Sequence, residues 1–126
     1  MYGFIDRLII KEDKAWIIDY KTTKQGWWRK NEKTIVDDLQ LKCYAAVVRK
    51  KFNIPAPNIQ TALFYLEGGQ LIGARFSEES LDQAEKELLQ TYLDIENSNP
   101  DQVWGRVGEH CKRCDFCKIC PFYSLT

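Results

Sequence analysis

Hydrophobic and polar positions along the chain alternate between two periods, and each change of period marks an element. Residues Tyr2 to Ile10 are rich in aromatic and branched side chains, the polar triplet Glu12-Asp13-Lys14 interrupts them, and apolar character resumes from Ala15 to Thr22. This pattern predicts a β-hairpin. After a polar, basic loop, Ile35, Leu39, Leu41, Ala45, Val48 and Phe52 fall roughly on one face of a helix that begins at Thr34 and stops at "NIPAPN". Ile59 to Leu66 and Gln70 to Phe76 flank "EGGQ", whose glycines supply the positive φ of a tight turn, so a second strand pair is expected there. Ser77 is placed to cap a second helix with Glu78 and Glu79 in its first turn, carried on by Leu81, Ala84, Leu88, Tyr92 and Ile95 as far as "NSNP". The order is β-β-α-β-β-α followed by a cysteine-rich tail, an α/β (mixed α+β) arrangement in which helices cover the sheet.

Composition narrows the class. With 126 residues the chain suits one compact domain, and 44% apolar against 29% charged residues excludes a disordered chain. No apolar run approaches the roughly 20 residues of a membrane span, and no membrane partner is expected. The opening "MYGFIDRL" has no basic and apolar leader pattern, so an intracellular (cytoplasmic) location is the expectation. Zero net charge argues against a generally basic DNA-coating protein and confines any polyanion contact to a local patch. The patch is Lys21 to Lys33, with Lys21, Lys24, Arg29, Lys30 and Lys33 against the single acid Glu32, and with Trp27 and Trp28 adjacent.

Candidate chemistry centres on "WIIDYKTTK". Asp19 and Lys21 share one face of a strand and Tyr20 takes the other. Pairing across the hairpin brings Asp6 near Asp19, and two carboxylates about 4 Å apart repel by roughly 4 kcal/mol at an effective dielectric constant of ~20, so the pair calls for a cation. A hard divalent ion with oxygen ligands fits, and Mg²⁺ characteristically takes one or two carboxylates and keeps several waters. The spacing is equally compatible with a plain ion pair between Asp19 and Lys21 at a solvated strand end. Gln40 and Tyr44, four apart, share a helical face distinct from the Leu41, Ala45, Val48 stripe, facing either the site or solvent. Cys111, Cys114, Cys117 and Cys120 are spaced by three, as ligands of iron-sulfur or zinc sites are, and free thiols are the alternative. Cys43 reads as core packing.

Taken in order, "GFIDRL", "WIIDYKTT", "QLKCYA" and "CKRCDFCKIC" resemble the RecB-type nuclease branch of the PD-(D/E)XK superfamily. Its G-x-x-D pattern is matched by Gly3 to Asp6, its D-x-K by Asp19 and Lys21, and its Q-x-x-x-Y helix by Gln40 and Tyr44. The iron-sulfur members, among them CRISPR-associated adaptation nucleases and AddB-like helicase-nuclease subunits, end in a C-x-x-C-x-Y-x-x-V-C-like run that Cys111, Cys114, Phe116, Ile119 and Cys120 fit.

The resemblance implies a restriction-endonuclease-like core over residues 1–108 with a cysteine-rich tail over 109–126 of the same domain. It further implies metal-dependent cleavage of DNA, by exonuclease action, in recombination, repair or phage- and CRISPR-type processing. Asp6, Asp19 and the Tyr20 carbonyl would hold Mg²⁺ or Mn²⁺. Lys21 would serve the attacking water or the charge developing on phosphorus, with its pKa drawn down by metal and burial, while Gln40 and Tyr44 would position substrate and lysine. Lys24, Arg29 and Lys30 would contact phosphates, and Trp27 or Trp28 would stack on an unpaired base or anchor the loop. Cys111, Cys114 and Cys120 would hold a 4Fe-4S cluster, with Cys117 in place of a fourth ligand that the family takes from upstream, and Zn²⁺ as the alternative. Because the family also places a metal-site helix ahead of G-x-x-D, the core is expected to be N-terminally truncated and completed by a missing segment, a helicase or another nuclease-complex subunit. The alternative function is a catalytically inactive fragment or a small metal-stabilised nucleic-acid-binding module.

Overall fold

The structure, a computed structural model, describes residues 2–26, 28–102 and 105–123. Its contacts divide the chain into two units, residues 1–90 and 91–126. In the first, strands β1 (Arg7–Lys11), β2 (Lys14–Lys21), β3 (Ile59–Tyr65) and β4 (Gln70–Ala74) form one sheet in the order β1-β2-β3-β4. The outer pairs are antiparallel hairpins and the central pair, β2 with β3, is parallel. Parallel neighbours need a crossover, and helix α1 (Leu39–Phe52) supplies it. Helix α2 (Glu78–Glu96) follows β4. The expected α/β class and element order are those observed.

Strand alternation makes the core. Ala15 and Ile17 of β2, Ile59, Thr61, Leu63 and Tyr65 of β3, and Ile72 and Ala74 of β4 are buried, and Leu41, Ala45 and Val48 of α1 join them in one core with Leu81 of α2. The polar member, Thr61, satisfies its hydroxyl by donating to the Ala74 carbonyl at 2.8 Å.

Element boundaries differ from expectation for local reasons. β1 starts at Arg7 rather than Tyr2, because side chains take the backbone groups that a longer ladder would use: Tyr44 donates to the Phe4 carbonyl and Asp6 accepts from the Tyr20 N–H. The first helix begins after Asp38, whose extended backbone (φ −72°, ψ 103°) and side chain, accepting from Leu41 N at 2.9 Å, form an N-cap; residues 35–37 make only a 3₁₀ turn. The expected stripe keeps Leu41, Ala45 and Val48 buried and gains Ala46, while Leu39 and Phe52, the terminal residues of the helix, are exposed. The helix closes on Asn53 in the left-handed conformation (φ 54°), two residues before Pro55. Between β3 and β4, Gly68 takes φ 82°, the value for which glycine is suited. Ser77 caps α2 as expected, its Oγ accepting from Ser80 N at 3.1 Å.

An ion cluster ties α1 to α2. Arg49 reaches Glu78 (2.7 Å), Asp82 (2.7 Å) and Glu85 (2.8 Å), and Lys50 pairs with Glu85. The second unit contains the end of α2, short 3₁₀ turns at Pro100–Gln102 and Glu109–Arg113, and Gly105, where a Cβ would fall 2.4 Å from the Phe122 ring. No helix among the described residues is long and apolar enough to cross a membrane.

The cluster gives stability a pH dependence. The Ala56 N–H and then Arg49 hold the Glu78 carboxyl below its ordinary value of 4.5; Lys50 and then Arg49 do the same for Glu85 against the opposing effect of burial. Depressed carboxylates contribute stability that is present above 4.5 and is lost as pH falls through their lower folded values. Urea titrations from neutral to acidic pH should show the wild-type midpoint falling more steeply than that of a Glu78→Gln/Glu85→Gln double variant; parallel declines would show that the cluster contributes none of the acid sensitivity.

Candidate active site

The site forms at the C-terminal ends of the two parallel strands, the end of an open α/β sheet where ligands characteristically bind. Alternation along β2 puts Asp19 on the same face as Ala15 and Ile17, so a carboxylate occupies a core-facing position and is only 4% exposed. Its Oδ2 lies 2.7 Å from Lys21 Nζ. That oxygen is buried and receives no hydrogen bond of good geometry, so the lysine meets it as a charge rather than as an aligned donor.

Asp6 arrives from the other strand of the hairpin. The register sets Arg7 opposite Ile18, which carries Asp6 to the level of Asp19, and Asp6 Oδ2 accepts the Tyr20 N–H at 2.9 Å. Between the acids, the Tyr20 ring faces the opposite side of the sheet, edge-on to Phe64 with centroids 5.9 Å apart.

Gln40 and Tyr44 complete a directional chain. Lys21 Nζ donates to Gln40 Oε1 (2.8 Å), Gln40 Nε2 donates to the Tyr44 hydroxyl (3.0 Å), and Tyr44 donates to the Phe4 carbonyl (2.6 Å). A carbonyl can only accept, so the Tyr44 hydroxyl has to donate there and accept from the amide NH₂. The polarity of the whole chain follows, and Gln40 must turn its oxygen to Lys21. The ammonium thus has one N–H committed to Gln40 and a second contact with Asp19.

The protonation of Lys21 is set by two opposed influences. Burial acts to lower its pKa and is the largest single influence, but the Asp19 carboxylate, helped by Asp38 and Tyr44, outweighs it and holds the ammonium above 10.5. Cys43 on α1 is half-buried, and burial raises its thiol pKa, which keeps it protonated and unreactive.

The basic loop is folded rather than splayed. Lys24 and Trp28 are exposed, Trp28 by 88%. Arg29 turns inward with its side chain 9% exposed, and Lys30 pairs with Asp38 at 2.9 Å. Trp27 lies outside the described residues. Two contributors were not singled out from sequence. Asp38 both caps α1 and holds Lys30, and its position just ahead of the helical pattern was a readable capping signal. Tyr65 accepts the Lys30 N–H at 2.7 Å through a contact spanning 35 residues, which no local pattern announces.

In the second unit, the cysteines sit on consecutive tight turns. Cys114 N–H donates to the Cys111 carbonyl and Cys117 N–H to the Cys114 carbonyl, each at 3.1 Å. None of the five cysteines is in a disulfide, and among the described residues no three His, Cys, Asp or Glu side chains are gathered into ligand geometry.

The chemistry of the donor set at the strand ends nonetheless suits a hard divalent ion: a buried carboxylate oxygen with no hydrogen bond of good geometry, and a second, exposed carboxylate across the hairpin.

This fold and site define a class, and the comparisons name it. The PD-(D/E)XK nuclease superfamily model matches residues 1–121, and the chain belongs to that superfamily. The superfamily is one of nucleases. No curated protein matches the chain. A solved structure titled "Crystal structure of SSO0001" is 18% identical, with a TM-score of 0.37 over 92% of this chain and 48% of that one, so the chain spans about half its length.

The Asp6 contact can be read without activity. Asp6→Ala leaves the Tyr20 N–H without its acceptor, a loss of about 1 kcal/mol or roughly fivefold in local opening. Amide hydrogen exchange at Tyr20 should quicken by about that factor; an unchanged rate would show that the bond does not order the strand end.

Proposed function

We propose that the chain is a DNA nuclease of the RecB-type branch, hydrolysing phosphodiester bonds with Mg²⁺ or Mn²⁺ and acting as an exonuclease in DNA recombination, repair or processing. The observation that carries this reading is Asp19: a carboxylate buried at the end of a central strand, its Oδ2 lying 2.7 Å from Nζ of the lysine two residues on but without a hydrogen bond of good geometry. A buried carboxylate oxygen satisfied only by a misaligned ammonium supports reading the corner as cation-binding.

Asp6, Asp19 and the Tyr20 carbonyl are the residues that would hold the ion. When bound, such an ion polarises the scissile phosphate and acidifies the attacking water. Lys21, kept cationic by Asp19 and aimed by Gln40, has donor capacity left for the water or for charge developing on phosphorus. Gln40 and Tyr44 fix the lysine's direction and, through the Phe4 carbonyl, the backbone just ahead of Asp6. Lys24 and Lys30 border the site and offer charge to the phosphate backbone.

For the cysteine tail we propose a 4Fe-4S cluster held by Cys111, Cys114 and Cys120, with Cys117 as the alternative to a ligand from elsewhere. The spacing by three on successive turns supports it, because a single turn brings residues three apart toward one side. A helicase or another nuclease subunit is the partner class this reading carries.

Cleavage of labelled DNA should require Mg²⁺ or Mn²⁺, stop with chelator, and fall by orders of magnitude in Asp19→Ala and Lys21→Ala, with near-ultraviolet circular dichroism unchanged. Metal-dependent cleavage persisting in both variants sinks the assignment, and DNA binding without cleavage by the wild type would favour the non-catalytic binding module. Purified protein should be brown and carry iron with acid-labile sulfide; colourless protein with stoichiometric zinc would assign the cysteines to zinc instead.

A further inference from the structure

Residues 22–34 leave β2 immediately after Lys21 and return at Asp38, forming a strap tied to the molecule by one side chain above all. Arg29 donates from Nε to the Thr23 carbonyl (3.0 Å), from Nη2 to the Glu67 carbonyl (2.8 Å) and Glu67 Oε2 (3.3 Å), and from Nη1 to Gln70 Oε1 (3.4 Å). Its guanidinium also lies over the Tyr65 ring, 4.8 Å from the centroid. Those partners sit at the end of β3 and in the turn leading to β4. Gln25 N–H donates to Glu67 Oε2, and the Lys30 N–H donates to the Tyr65 hydroxyl. Tyr65 is the ladder neighbour of Lys21, so the strap is anchored directly beside the Asp19–Lys21 corner.

What the strap displays is Trp28. The indole is 88% exposed, and its backbone has φ 46°, a left-handed conformation that costs free energy for a bulky residue. Asn53, by contrast, adopts a positive φ suited to its residue type at a helix end. A loop tryptophan serving only as a hydrophobic anchor would be buried. This one is held outward, against both solvation and backbone preference, while Arg29 and Lys30 just after it are bonded to the molecule, the arrangement expected where strain is kept for function.

We infer that Arg29 is a positioning residue for substrate: it clamps the 22–34 strap to the β3–β4 turn and thereby holds the Trp28 indole as a stacking platform for a nucleobase beside the Asp19–Lys21 corner. The inference rests on the reading that the chain acts on nucleic acid. It assigns Arg29 a mechanical task instead of a phosphate contact, because its side chain is only 9% exposed and four of its five N–H donors are already engaged by the partners that hold the strap. Stacking on an aromatic face is tolerant of base identity and suits a nuclease without sequence preference.

The test separates geometry from charge. Anisotropy of a short fluorescein-labelled oligothymidylate, measured in chelator so that no cleavage occurs, should show Trp28→Ala weakening binding about tenfold, the order of one base–aromatic stack. Arg29→Ala and Arg29→Lys should weaken it equally, and Trp28→Ala/Arg29→Ala no further than Trp28→Ala alone, since the clamp acts only through the indole. Tyr65→Phe keeps the ring under Arg29, removes the acceptor of the Lys30 N–H, and should weaken binding severalfold even if the Arg29 variants fold poorly. In cleavage, Trp28→Ala and Arg29→Lys should raise KM and leave kcat unchanged. Wild-type affinity in Arg29→Lys would return the residue to phosphate binding, and multiplying losses in the double variant would separate it from Trp28; either overturns the clamp, as does unchanged affinity in Tyr65→Phe. Wild-type protein that binds the oligonucleotide but never cleaves it with Mg²⁺ or Mn²⁺ refutes the nuclease and leaves the clamp standing. Absence of wild-type binding overturns both.

Discussion

A carboxylate facing the core at the end of a central strand has to be compensated, and the surroundings of Asp19 are arranged around that need. Lys21 is the nearby cation, but it is 32% exposed and therefore screened. Exposed ion pairs contribute about 0–1 kcal/mol, too little to justify burying a charge. The pair therefore matters more for where it places the ammonium than for stability. Lys21 is then constrained from its other side by an amide whose direction is dictated, through a tyrosine hydroxyl, by the carbonyl of Phe4. Three segments distant in sequence, the lead-in to β1, the end of β2 and the first turns of α1, are thereby joined by one polarised chain.

The same region shows how side chains can decide where secondary structure stops. Tyr44 claims the Phe4 carbonyl and Asp6 the Tyr20 N–H, and β1 begins only at Arg7. Asp38 claims the Leu41 N–H, and the helix starts there. Each of these residues belongs to the site or touches it, so element boundaries and chemistry are set by common interactions.

Much of this was legible in the sequence. The hairpins and helices follow from period and turn residues. Alternation puts Asp19 and Lys21 on one face and hairpin pairing brings Asp6 near, whereas spacing alone leaves Gln40 and Tyr44 facing either site or solvent and only the family resemblance joins them to the site. The misses have a different origin. The start of α1 moved because a single aspartate caps it later than the apolar pattern suggests. Arg29 looked like a phosphate ligand because sequence shows charge but not partners, and its partners lie some 40 residues away in Glu67 and Gln70. Tyr65 was hidden for the same reason. For Lys21, burial is expected to lower the pKa, but the Asp19 contact that opposes it depends on side-chain placement that sequence does not give.

The turn between β1 and β2 is only two residues, Glu12 and Asp13, with Glu12 at φ 55°. At the far end of the hairpin from the acids, it nevertheless sets their alignment, because the ladder runs without a break from Lys11 opposite Lys14 to Arg7 opposite Ile18. Slipping that ladder by one residue would send every β1 side chain to the opposite face, and Asp6 would be carried away from the Tyr20 N–H. The hairpin works as a ruler, so the length of this remote turn can change only at the expense of the site.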